Sequence, residues 1–227
     1  LANHDVEIIT QSSDELNLLD QVLVRDFFYS VLPDEVIIAA GKVGGIQANA
    51  SFPAQFLYEN LQIQNNIIHS AHETKVKKLL FLGTSCSYPK ISSQPMVEEK
   101  LLTGPLEITN EPFAIAKIAG IKMCGSYKKQ YGDDYRAVIP TNLYGPGDNY
   151  HPENSHVLPA LLRRFHEAKV SDISEVRIWG SGNPLREFLY VDDAASALMF
   201  IHNLDEKRYN QVKTKNCSHL NIGNGAE

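Results

Sequence analysis

Short, strongly apolar runs alternate with longer stretches of helical spacing along the 227 residues, and this alternation restricts the fold more than any other feature. Val6–Thr10, Val36–Ala40, Leu79–Leu82, Arg136–Pro140 and Val176–Trp179 read as strands, and Leu220–Ile222 begins another. They are short and apolar enough to be buried on both faces. Between them, Gln21–Val31, Ala54–Thr74, Ala114–Tyr131 and Val157–Lys169 carry helical spacing. In the second, Phe56, Leu57, Asn60, Ile63, Ile67 and Ile68 share one helix face. Strands separated by helices of this length require right-handed crossovers and a parallel sheet. The expected fold is α/β, a doubly wound, Rossmann-like parallel sheet followed by a smaller C-terminal substrate-binding region.

Asn142–Asn154, rich in Gly, Pro and Asn, reads as the passage between the two parts, dividing the chain into residues 1–142 and 143–227. A dinucleotide fold opens with a strand and a glycine-rich turn whose amides hold the pyrophosphate. No such turn follows Val6–Thr10, and Lys42-Val43-Gly44-Gly45 lies after a later strand. Both chain ends therefore read as truncated, with the first strand and its glycine-rich loop missing. Net charge of −6 argues against a dominant nucleic-acid surface, so an anionic ligand needs a local Arg or Lys cluster. The three cysteines form no C-x-x-C pair, which fits reduced thiols and a cytoplasmic location. No apolar run is long enough to span a membrane.

In open parallel sheets, ligands sit beyond the carboxyl ends of the strands. Three such ends carry capable residues: Thr10–Asp14; Leu82, Gly83, Thr84, Ser85 and Cys86; and Pro140, Thr141, Asn142 and Leu143. On the intervening helix, Phe113 and Lys117 are four apart and share a face. A tyrosine at the first position would complete the short-chain dehydrogenase pattern Y-x-x-x-K. In that pattern the ammonium lowers the phenol's pKa and binds the cofactor ribose, while a Ser or Thr at the preceding strand end holds the substrate oxygen.

Five ordered strings make the likeness specific: Lys42–Ile46, Asn110–Gly120, Thr141–Pro146, Ser155–Leu161 and Arg186–Leu189. With them the chain resembles the GDP-L-fucose synthases, extended short-chain dehydrogenases, over essentially its whole length. That family epimerises GDP-4-keto-6-deoxy-D-mannose at C3 and C5 and then reduces C4 with NADPH. The resemblance implies that Thr84 orients the keto oxygen, that Cys86 and His156 serve as the epimerisation base and acid, and that Lys117 holds the nicotinamide ribose. It places Asp14, Leu16, Asn17 and Leu18 at the cofactor adenosine, and Leu82–Ser85, Pro140–Leu143 and His156 along the rest of NADP(H). Arg164, Trp179 and Arg186 match positions that hold the GDP-sugar, where Arg suits a diphosphate and Trp a stacked ring. The two long helices imply a homodimer.

Two departures change the expectation. Thr84 replaces the family's serine and keeps a hydroxyl, whereas Phe113 replaces its tyrosine and has nothing to ionise. The C4 reduction is therefore expected to be impaired, because a positioned general acid contributes ~10²–10⁴-fold. Thr10–Ser13 has neither the acid of an NAD site nor the Arg of an NADP site, so NADP rests on the resemblance. Two other readings are a related NAD(P)-dependent nucleotide-sugar epimerase or dehydratase, and a catalytically silent nucleotide-sugar-binding homologue. Read singly, each residue has a plainer role: Cys86 as a small hydrophobe, His156 as one of eight histidines, Arg163 and Arg164 as a solvated face.

Overall fold

Strand residues alternate between two cores, as parallel strands buried on both faces require. The computed structural model describes residues 6–152, 155–178, 180–183, 185–214 and 217–225. The main sheet holds β1 (Glu35–Ile38), β2 (Lys78–Leu82), β3 (Asp134–Pro140) and β6 (His219–Ile222), all parallel and adjacent in that order. Leu79, Phe81, Ala137 and Ile139 face one core with α1 (Gln21–Val31), α3 (Pro53–Glu73) and α4 (Glu111–Tyr131). Leu80, Val138, Leu220 and Ile222 face the other, with α6 (Val191–Asn203) and α7 (Glu206–Val212). This is the expected doubly wound arrangement.

The remaining elements are α2 (Ile46–Ser51), α5 (Val157–Val170) and a small parallel pair, β4 (Asn142–Tyr144) with β5 (Phe188–Tyr190). Helix α4 follows its sequence signals: Pro112 near the start, Lys128 and Lys129 in the last turn, and Gly132 at φ 81° as the left-handed stop. Gly120 is where α4 meets the sheet and α3 together. A Cβ there would stand 2.7 Å from the Phe81 ring edge and 2.8 Å from Gln64 Oε1. The polar residues on α3 are buried staples: Asn60 bonds the Lys42 N–H and carbonyl, Gln64 the Ala116 carbonyl and Asn66 the Leu18 carbonyl.

Several expectations are corrected. Val6–Thr10 is exposed and joins no sheet, so Thr10–Asp14 is not a strand end; no strand lies beside it among the described residues to complete a ladder. Val176–Ile178 is irregular and half-buried to exposed, and Trp179 lies outside the described residues. The passage after Pro140 opens with β4, and β4, β5, α2, α6 and α7 are elements the periodicity did not reveal.

Candidate active site

The site is built on the turn that leaves β2. Gly83 packs so tightly that a Cβ would come within 3.0 Å of both Ile121 and Ile139. Thr84 follows in extended conformation, and its Oγ1 accepts from the Cys86 N–H at 3.4 Å, capping the 3-10 turn Ser85–Ser87. The Thr84 hydroxyl also acts on the Cys86 sulfur, so its proton lies between that sulfur and the position of a ligand oxygen. Cys86 is half-buried. Burial pushes its thiol up, opposed by the Thr84 hydrogen bond and the positive charge of Arg186. Asn110, the N-cap residue just before α4, donates from Nδ2 to the Cys86 sulfur at 3.2 Å.

Lys117 reaches the same strand end from α4. Its ammonium is buried, donates to the Leu82 carbonyl at 3.0 Å and lies 4.9 Å over the Phe81 ring. Desolvation lowers its pKa to about 8. Phe113, one turn earlier, is half-buried and meets Phe56 edge to face, with ring centroids 6.2 Å apart. Gly41, just after β1, approaches the same ammonium: a Cβ there would lie 3.5 Å from Lys117 Nζ.

A second group of residues comes from the β3 exit. The Thr141 N–H bonds the Ile222 carbonyl, and the Thr141 hydroxyl and Asn142 amide both donate to the Glu187 carbonyl, at 2.8 and 3.0 Å. The Glu187 carboxylate accepts from the Asn224 N–H at 2.7 Å. These bonds join the main sheet to the β4–β5 pair and set Arg186 beside the site, close enough for its charge to act on Cys86.

The other expected residues stand apart. His156 is exposed at the start of α5 and makes no side-chain capping bond. Arg164 lines a separate cavity of about 230 Å³ with Pro152, Ala160, Arg163 and Glu167. Its neighbour Arg163 pairs with Glu167 at 2.6 Å, the plainer reading for that residue. Asp14 and Asn17 are exposed in a turn, Leu16 is half-buried and Leu18 packs on the core beneath α3. Asn110, quoted only as the start of the Asn110–Gly120 string, also touches this candidate site. Its place before Glu111-Pro112 marks a helix start, but nothing local signals the sulfur 24 residues away.

Fold and site together define a dinucleotide-type sheet with short-chain-dehydrogenase furniture at its carboxyl edge. The chain belongs to the NAD dependent epimerase/dehydratase family, matched over residues 1–223. It is 57% identical over 223 residues to GDP-L-fucose synthase of Escherichia coli (strain K12), covering 98% of this chain and 70% of that protein. It is also 57% identical over 220 residues to GDP-L-fucose synthase 1 of Arabidopsis thaliana, covering 97% and 65%. The solved GDP-L-fucose synthetase from Naegleria fowleri bound to NADP superposes with a TM-score of 0.78 at 30% identity, covering 95% of this chain and 67% of that one. The chain thus spans about two thirds of the length of its relatives.

Proposed function

We propose that this chain carries the catalytic centre of a GDP-L-fucose synthase, acting on GDP-4-keto-6-deoxy-D-mannose by C3/C5 epimerisation and NADPH-dependent C4 reduction. The observation that carries the reading is the β2 strand end, where the buried ammonium of Lys117 holds the Leu82 carbonyl and the turn bearing the Thr84 hydroxyl and Cys86 thiol leaves two residues later. The two relatives at 57% identity, both named for this activity, support the substrate.

The residues fit a dinucleotide. Lys117 uses one N–H on Leu82 among the described residues, which leaves donors for a ribose diol. NADPH, when bound, supplies the hydride. Thr84 donates to the C4 oxygen and so acidifies the C3 and C5 protons. The Cys86 thiolate removes these protons, and His156, on a segment that must approach the sugar, returns them on the opposite face. Arg186 and Arg164 hold the diphosphate of the substrate, with residues 143–227 as the substrate region and 1–142 as the cofactor region. Phe113 keeps the ring of the family tyrosine without its proton. Proton supply to the C4 oxygen then falls to Thr84 alone, and reduction is slow while epimerisation persists. Pairing of two copies through α3 and α4 and residence in the cytoplasm, where the three free thiols stay reduced, complete the reading.

Incubating the full-length protein with the keto-sugar in D₂O tests it. Deuterium at C3 and C5 without matching NADPH oxidation is the expected result. Phe113→Tyr is expected to raise NADPH oxidation by ~10²–10⁴-fold. Tight binding with neither exchange nor oxidation would leave a silent binding protein, and an unchanged oxidation rate in Phe113→Tyr would refute the account of that position.

A further inference from the structure

Asn110 occupies the N-cap position just before α4 and is a residue type that caps helices well, yet its side chain makes no cap bond. It turns instead to the Cys86 sulfur, donating from Nδ2 at 3.2 Å, and its Oδ1 is buried with no hydrogen-bond partner among the described residues. Two favourable interactions are thus forgone for one N–H···S contact, each worth on the order of 1 kcal/mol. An amide donor at this distance favours a sulfur anion over a thiol, since a thiolate accepts hydrogen bonds far more strongly. Burial is the largest influence on the sulfur and favours the thiol; it is opposed by Thr84 and the backbone N–H on its own turn and by the cation of Arg186 from the loop before β5.

We propose that Asn110 is a positioning residue for the epimerisation half-reaction, anchoring the Cys86 sulfur and donating to it as it becomes the anion that takes the substrate proton. The inference rests on Cys86 acting as the base. Breaking the thiolate's amide bond changes proton transfer and leaves GDP-sugar affinity alone, because Asn110 touches the sulfur and not the diphosphate residues.

Asn110→Asp separates this role from a structural one. Aspartate keeps the size and caps at least as well, with its charge favourable at a helix start. It removes the donor and sets an anion against the sulfur. In the full-length protein, iodoacetamide labelling of Cys86, read by peptide mass against pH, should shift its midpoint upward by about one unit, or roughly tenfold slower labelling at neutral pH. The buried Cys124 and Cys217 serve as slow internal references. Asn110→Ala should shift it in the same direction by removing the donor alone. Deuterium incorporation at C3 and C5 should fall about tenfold, with KM unchanged. An unshifted labelling profile in folded Asn110→Asp and Asn110→Ala overturns the proposal. A shifted profile with undiminished exchange keeps the hold on the sulfur but removes Cys86 as the base, which identifies the broader reading as the one that failed.

Discussion

At the scale of single residues, Lys117 carries a stability cost beside the role proposed for it. Its ammonium is buried, and desolvation holds its pKa near 8 instead of 10.5. The unfolded chain binds this proton more tightly, so the cost is full below pH 8 and fades as pH rises towards the unfolded value. The cost is about 3 kcal/mol before the Leu82 hydrogen bond and Phe81 ring contact are credited. Lys117→Met removes that cost while leaving one carbonyl unpaired, a loss of about 1–3 kcal/mol. The expected outcome is a Tm unchanged or raised, with reduction lost in the Phe113→Tyr background; a Tm fall of several degrees by calorimetry would show that the ammonium stabilises the fold. Lys117 and Cys86 were both legible as candidate site residues from motif position. Asn110 was not, because its role depends on a contact across 24 residues.

At the scale of elements, β3 carries an unusual central residue. Arg136 is fully buried and pairs with both oxygens of Asp134, at 2.9 and 2.6 Å. Its other arm donates to the carbonyls of Ile201 and His202 at the end of α6, and its guanidinium lies 4.6 Å over the Tyr209 ring of α7. The cation therefore satisfies the C-terminal carbonyls of one helix while stacking on the next. Burial alone would raise the Asp134 carboxyl, but the Arg136 bond and charge leave it below its usual value. Asp134→Asn should destabilise by about 3–5 kcal/mol in urea titration, by leaving a buried cation without its counter-charge. Replacing both residues by apolar ones should cost less than this single change. Equal losses would mean that the pair does not act as a unit. Helices α1, α3, α4 and α5 were readable to within a few residues because their period repeats over many turns. Strands β4 and β5 have three residues each, too few for a period to show. The two acids in the first turn of α6 were a start signal passed over.

For the whole molecule, a buried cluster ties the loop after β2 to the last strand. The Tyr88 hydroxyl has one proton, and the Asn221 Oδ1 at 2.6 Å can only accept it. His219 Nε2, 2.9 Å away, must therefore donate to the Tyr88 oxygen, and its buried Nδ1 has no hydrogen-bond partner among the described residues. Asn221 also bonds Glu98 and the Met96 carbonyl, so the segment leading from Cys86 is held against β6. Desolvation depresses His219 to about pKa 4. The unfolded chain takes up this proton from about pH 6.5 downward, so stability falls between pH 6.5 and 4. The loss is at most about 2 kcal/mol at pH 5. His219→Gln keeps a donor for Tyr88 and should shrink the Tm difference between pH 7 and pH 5; an equal difference in the variant would place the acid sensitivity elsewhere. Local chemistry written into the chain was enough to establish the parallel α/β class and the long helices, and to mark Thr84, Cys86, Phe113 and Lys117 as candidates. Period, cap residues and motif spacing act over a few residues and survive in a one-dimensional string. Tertiary structure alone decided that Val6–Thr10 stays outside the sheet, that Asn110 abandons its cap for a sulfur, and that Arg136 and His219 are buried. Each of these depends on which distant segments arrive alongside, and hydrogen bonds between residues 24 to 133 positions apart leave no period to read.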